Sequence, residues 1–201
     1  MKKIRLLYID DVPEPALERF LDSEYQNKEY DIEYDEIIFD PSKGYESLMQ
    51  DSKVQTANII FVDSRLFENK TATGGKFTGE EFKFVLKKFY PFIEVIVISQ
   101  NSLDCSINMV AKYDPTCDKT ASEYYADTLP TYIDTAIRNI MQYRLLAERL
   151  SKNDSWENIL KEKVIDTLQG INIYDELTKK DIDNLIVAFK EIQEELDVLW
   201  L

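Results

Sequence analysis

Short apolar runs, each stopped by a polar or charged residue, punctuate the first half of the chain and alternate with stretches of helical period. Ile4-Arg5-Leu6-Leu7-Tyr8-Ile9 is near-continuous and ends at Asp10-Asp11. A run of this kind is how a strand buried on both faces reads. Val12-Pro13-Glu14-Pro15 then opens a helix, because proline is tolerated in a first turn, with Leu17, Phe20 and Leu21 as its buried face. Ile32 to Phe39 reads as a second strand, closed by Asp40-Pro41, and a short helix is expected around Tyr45–Gln50. Asn58-Ile59-Ile60-Phe61-Val62 is a third strand ending at Asp63, and Phe82, Val85, Leu86 and Phe89 predict a helix over 79–90. Val95 to Ile98 is a fourth strand ending at Ser99, and Ile107–Ala111 a weaker fifth ending at Lys112. Strand alternating with helix at this spacing calls for a parallel sheet with helices on both faces.

The sheet signal stops after Lys112. Leu129 to Leu150 is one long helical pattern, with Leu129, Ile133, Ile137, Ile140 and Met141 on one side. Ser151-Lys152-Asn153-Asp154 interrupts it. Trp156, Leu160, Val164 and Leu168 mark a further helix, stopped at Gly170. Beyond a Thr178 cap, Ile182, Leu185, Phe189, Ile192, Leu196 and Leu199 step at the spacing of a coiled-coil seam. Two parts are expected: an α/β domain over 1–150 and a helical hairpin or coiled-coil-like extension over 151–201. A stripe this regular should not face water, so the extension is read as contacting a second copy or another protein.

Composition narrows the chemistry. The chain has no histidine, which excludes a Ser-His-Asp triad, His-ligated zinc and a phosphohistidine relay of its own. The net charge of −14 falls on both parts, −8 over 1–150 and −6 over 151–201, so neither offers the basic field that nucleic acid attracts. Cys105 and Cys117 lack neighbouring ligands for zinc and read as free thiols of a reducing cytoplasm. The first apolar run is too short for a signal peptide or a membrane span, which points to a soluble, cytoplasmic protein.

In an open α/β sheet the loops at the carboxyl ends of the strands form the functional crevice. The residues placed there are Asp10, Asp11, Asp63, Ser99 and Lys112. Three carboxylates repel one another unless a cation lies between them, and an oxygen-rich site of this kind suits magnesium. With an ammonium and a hydroxyl alongside, the set becomes a pocket for a phosphoryl group, and Asp63 is the candidate nucleophile for an acyl phosphate.

Tyr8-Ile9-Asp10-Asp11, Ile60-Phe61-Val62-Asp63, Val97-Ile98-Ser99 and Ala111-Lys112 resemble the four signatures of the response-regulator receiver domain. Thr78-Gly79-Glu80-Glu81-Phe82 resembles the glycine and helix start that follow the phospho-acceptor in that family. The resemblance covers about residues 1–145. It implies a doubly wound, flavodoxin-like sheet of five strands in the order 2-1-3-4-5, and phosphorylation of Asp63 by a histidine kinase or phosphotransfer protein. Magnesium would be held by Asp11, Asp63 and the backbone carbonyl of Arg65, with Asp10 acting through water. Ser99 and Lys112 would read the phosphate.

The chain also departs from that family. Fifteen residues separate Asp63 from Gly79, where the family has a much shorter loop. The stretch from Ser99 to Lys112 leaves room for only a stunted fourth helix. Tyr113 stands where the family has proline, and Met109 where a switch aromatic often sits. Gly74-Gly75-Lys76 lacks the spacing of a phosphate loop, and no water-activating base for a hydrolase is evident. Tyr124-Tyr125 and the other tyrosines read as packing residues. The expected function is therefore not enzymatic: a magnesium-dependent switch that signals by protein contact, with a partner-binding module that works without phosphate as the alternative.

Overall fold

The computed structural model describes residues 2–66, 78–100, 109–152 and 164–166. Five strands form one parallel sheet: β1 (Lys2–Asp10), β2 (Tyr30–Ile38), β3 (Ile59–Asp63), β4 (Glu94–Ser99) and β5 (Met109–Ala111), in the order β2-β1-β3-β4-β5. The helices are α1 (Pro15–Arg19), α2 (Glu46–Met49), α3 (Ser52–Thr56), α4 (Gly79–Phe89) and α5 (Ala121–Ser151). This is the expected doubly wound, flavodoxin-like α/β fold. The chain divides into two compact units, Met1–Ile171 and Asn172–Leu201. The second lies outside the described residues, as do most of the helix expected over 156–168 and all of the seam from Ile182 to Leu199.

Side-chain alternation along the central strands explains how the two helical layers are held. Ile4, Leu6 and Tyr8 of β1, Phe61 of β3 and Ile96 and Ile98 of β4 pack with α1 and with Leu129, Ile133 and Ile137 of α5. Leu7, Ile9, Ile60, Val62, Val95 and Val97 pack on the other side with Leu48, Val54, Phe82 and Leu86. Every residue of β3 and β4 is buried, so these strands carry apolar side chains at both parities. β2 lies at the sheet's edge and is largely half-buried, which fits its mixed sequence.

Three elements differ from the sequence reading. The helix after Pro15 is a single α turn that widens into a π-type turn over Phe20–Glu24, which still buries Phe20 and Leu21. Ser52–Thr56 forms a helix that the apolar pattern does not reveal, because Val54 is its one buried residue. Helix α5 begins at Ala121, two turns ahead of Leu129. Its start is set by a reciprocal cap between Thr120 and Glu123, and Pro130 is accommodated inside it.

The N-terminal end of β4 buries a charge. Glu94 is 3% exposed, and its carboxylate accepts from Lys87 at 3.1 Å and from the Tyr143 hydroxyl at 3.2 Å. A buried carboxylate is tolerable only when compensated in this way. No helix among the described residues is long and apolar enough to cross a membrane.

Phe61 is fully buried in the central strand. Phe61→Ala is expected to cost about 3–5 kcal/mol through lost burial and the cavity left behind, measured by urea unfolding.

Candidate functional site

The parallel sheet brings the C-terminal ends of β1, β3, β4 and β5 to one edge. Asp10 closes β1, Asp63 closes β3, Ser99 closes β4 and Lys112 follows β5. The register links them: Asp63 is the partner of Ile98, and the Lys112 amide donates to the Ser99 carbonyl at 2.7 Å. Asp10 and Asp63 are 2% and 6% exposed, and Ser99 is buried with them. Asp10 lies two residues after Tyr8, and Asp63 two after Phe61, so both carboxylates stand on the sheet face that α5 covers.

One ammonium serves both carboxylates. Lys112 Nζ lies 3.3 Å from Asp63 Oδ1 and 3.5 Å from Asp10 Oδ2. The other Asp63 oxygen, Oδ2, accepts the Arg65 amide at 2.8 Å. Asp10 Oδ1 accepts the Val12 amide at 3.1 Å, and Asp10 Oδ2 accepts the Tyr8 hydroxyl at 2.5 Å. Asp11 is half-buried in the loop that follows β1. The structure thus unites Asp10, Asp63 and Lys112 around one point, with Ser99 on the adjoining strand. Among the described residues no group of three or more acidic or cysteine side chains is gathered closely enough to hold a metal ion. The Arg65 backbone contributes its N–H to Asp63.

The electrostatics follow from burial and proximity. Burial pushes the Asp63 carboxyl above its ordinary range; Lys112 pulls it back, and the Asp10 charge pushes it up further. For Lys112, burial is the strongest single influence and lowers the pKa. Asp63 and Asp10 together outweigh it and raise the pKa above the ordinary lysine value. The set is left with more negative charge than its one ammonium neutralises.

Helix α4 starts against this site. The Gly79 amide donates to the Ser64 carbonyl at 2.8 Å, and a Cβ at residue 79 would lie 2.4 Å from the Asp63 carbonyl oxygen. That contact requires glycine. Thr78 and Glu81 cap the helix reciprocally and fix where it begins. Residues 67–77 of the long spacing between Asp63 and Gly79 lie outside the described residues, as do 101–108, where a stunted helix was expected.

Sequence reasoning missed the polar partners inside the domain: Tyr8 on Asp10, and Tyr125 on Glu14 at 2.6 Å. The tyrosines are core residues, as the pattern indicated, but their hydroxyls also organise the site. Tyrosine within an otherwise aliphatic strand, two residues from an aspartate, is the signal that could have shown the first of these.

Two measurements check this account. Gly79→Ala is expected to destabilise the domain by about 1–3 kcal/mol through overpacking against backbone, read by thermal unfolding. The Asp63 carboxyl is expected to titrate above the ordinary value of 3.8 and higher still in Lys112→Met, read by carbon NMR. A carboxyl raised in this way is bound by protons more tightly in the folded chain. Its contribution to stability therefore falls as pH rises from 3.8 through its folded-state pKa, and stays low above it.

No protein-family model matches the chain, and no curated protein matches it in sequence. Among solved structures, the chain is similar to a two component transcriptional regulator AraC from Clostridium phytofermentans ISDg, with 18% identity and a TM-score of 0.42. The match covers 71% of this chain and 98% of that one. The strand order β2-β1-β3-β4-β5 is that of the doubly wound, flavodoxin-like fold, here with acidic side chains closing β1 and β3 and lysine following β5.

Proposed function

We propose that this protein is a signal-transduction receiver that accepts a phosphoryl group on Asp63 and signals through protein contact. The observation that carries the proposal is the pairing of the buried Asp63 with Lys112, beside a second buried carboxylate at the sheet's C-terminal edge. In the transfer, an Asp63 carboxylate oxygen attacks the donor's phosphorus. An O–P bond forms, the bond from phosphorus to the donor's leaving group breaks, and the leaving group departs with the donor's electron pair. Lys112 offsets the negative charge that gathers on the phosphoryl oxygens. The Arg65 N–H holds the carboxylate oriented through Oδ2.

Two buried carboxylates beside a single ammonium offer hard oxygen donors, a chemistry that suits a small divalent cation. Asp63, Asp10, Asp11 and the Arg65 carbonyl would hold magnesium, which supplies further charge neutralisation to the transfer. The donor is a histidine kinase or phosphotransfer protein, since this chain has no histidine. Output is assigned to protein contact, either with a second copy or with another partner through 151–201. An acidic chain offers little attraction for nucleic acid. A cytoplasmic location follows from this reading.

One observation favours the alternative, a partner-binding module that works without phosphate. The carboxylates of Asp10 and Asp63 are already engaged by Lys112, Tyr8 and two amides.

Acetyl phosphate with magnesium separates the two. The receiver reading expects a phosphate-mass increment, labile to hydroxylamine, on the wild-type chain and its absence in Asp63→Asn. Lys112→Ala is expected to slow the modification by about 100-fold, the scale for removing one preorganised charge-stabilising donor. A wild-type chain left unmodified by acetyl phosphate and by a phosphorylated histidine donor sinks the receiver reading in favour of the binder.

A further inference from the structure

Lys112 is gripped from both flanks by neighbouring tyrosines of α5. The Tyr124 hydroxyl donates to the Ala111 carbonyl at 2.9 Å, and the Tyr113 amide donates to the Tyr125 hydroxyl at 3.1 Å. The second bond exists because residue 113 is not proline, which has no N–H to give. Tyr125 is fully buried, and its hydroxyl goes on to donate to Glu14 Oε2 at 2.6 Å. Glu14 in turn donates its backbone N–H to the Tyr8 hydroxyl at 3.3 Å, and Tyr8 donates to Asp10. Asp10 faces Lys112. The bonds therefore close a circuit: Lys112, Asp10, Tyr8, Glu14, Tyr125, Tyr113 and back to Lys112.

Each buried hydroxyl in this circuit both donates and accepts. Phenylalanine at 8 and 125 would fill the same core volume without needing any partner. Hydroxyls, with a half-buried carboxylate between them, add what apolar packing cannot: a directional tie from one loop to another. The end of β1 and the loop that follows it carry Asp10 and Asp11, and the loop after β5 carries Lys112. Outside the charged site, Tyr125 fastens the one to the other.

We infer that Tyr125 is a positioning residue: it fixes the Lys112 loop to the Asp10 loop through Glu14 and so makes the geometry at Asp63 and the first turns of α5 move together. This rests on the receiver reading for its purpose, since a change of charge at Asp63 is what the tie would transmit. It also gives the domain a route to α5 that needs no switch aromatic at position 109.

The test uses the full chain and Tyr125→Phe, which keeps the ring and removes the hydroxyl. Amide hydrogen exchange, read by NMR, is expected to accelerate by about tenfold at Tyr113, which loses its acceptor, and also at Glu14, whose amide bonds Tyr8 rather than Tyr125. Amides in the middle of β3 are expected to be unchanged. Acceleration at Tyr113 alone, or at neither residue, overturns the inference. Should Tyr125→Phe not fold, Glu14→Ala is read from the other side, with acceleration at Tyr113 expected and its absence overturning the inference. Tyr143→Phe removes a hydroxyl–carboxylate bond at the opposite end of the sheet and is expected to leave both amides unaltered. In a second arm, beryllofluoride with magnesium is titrated against the wild type and Tyr125→Phe, with fluorine NMR as the readout. A tenfold weaker affinity at unchanged thermal stability supports positioning, and equal affinity overturns it. If the wild type binds no beryllofluoride the receiver reading fails, while the exchange arm still decides whether the tie exists.

Discussion

Two buried carboxylates share a single ammonium, and that unequal arrangement governs the rest of this domain. A carboxylate removed from water must find a partner or take up a proton, and Lys112 is the partner that Asp10 and Asp63 share. Yet Lys112 alone does not balance them, which is why burial and Asp10 together keep the Asp63 carboxyl above its usual range. The sheet has to deliver three side chains from β1, β3 and the end of β5 to one point. Parallel strands do so readily, since all their carboxyl ends lie at the same edge.

Much of this was legible in the sequence for a simple reason. Strands buried on both faces must be largely apolar, so the first polar or charged residue after each run marks the sheet's edge. That rule located Asp10, Asp63, Ser99 and Lys112 without any coordinates. It fails for Ser52–Thr56, a single turn with one buried side chain, and for the start of α5, where Thr120 and Glu123 set the boundary ahead of the first aliphatic stripe. The partners of the site were less legible still. Tyr8 and Tyr125 look like core aromatics because their rings are core aromatics; only the direction of a hydroxyl, which sequence does not encode locally, tells them apart from phenylalanine.

The same distinction bears on residue 113, whose amide donates to the Tyr125 hydroxyl. Proline there would remove the Tyr113 amide from use. Helix α5 has 31 residues; its opening turns touch β5 and its later turns reach Glu94 at the far end of β4. One rigid element thus spans the sheet from the charged edge to the opposite edge.

Gly79 sets a different kind of limit. Only a hydrogen atom fits between the start of α4 and the Asp63 carbonyl. That contact constrains the residue at which the chain returns, and not the number of residues between β3 and that helix. A residue without a side chain is thus the fixed point at which the chain rejoins the charged edge of the sheet, whatever length of chain precedes it.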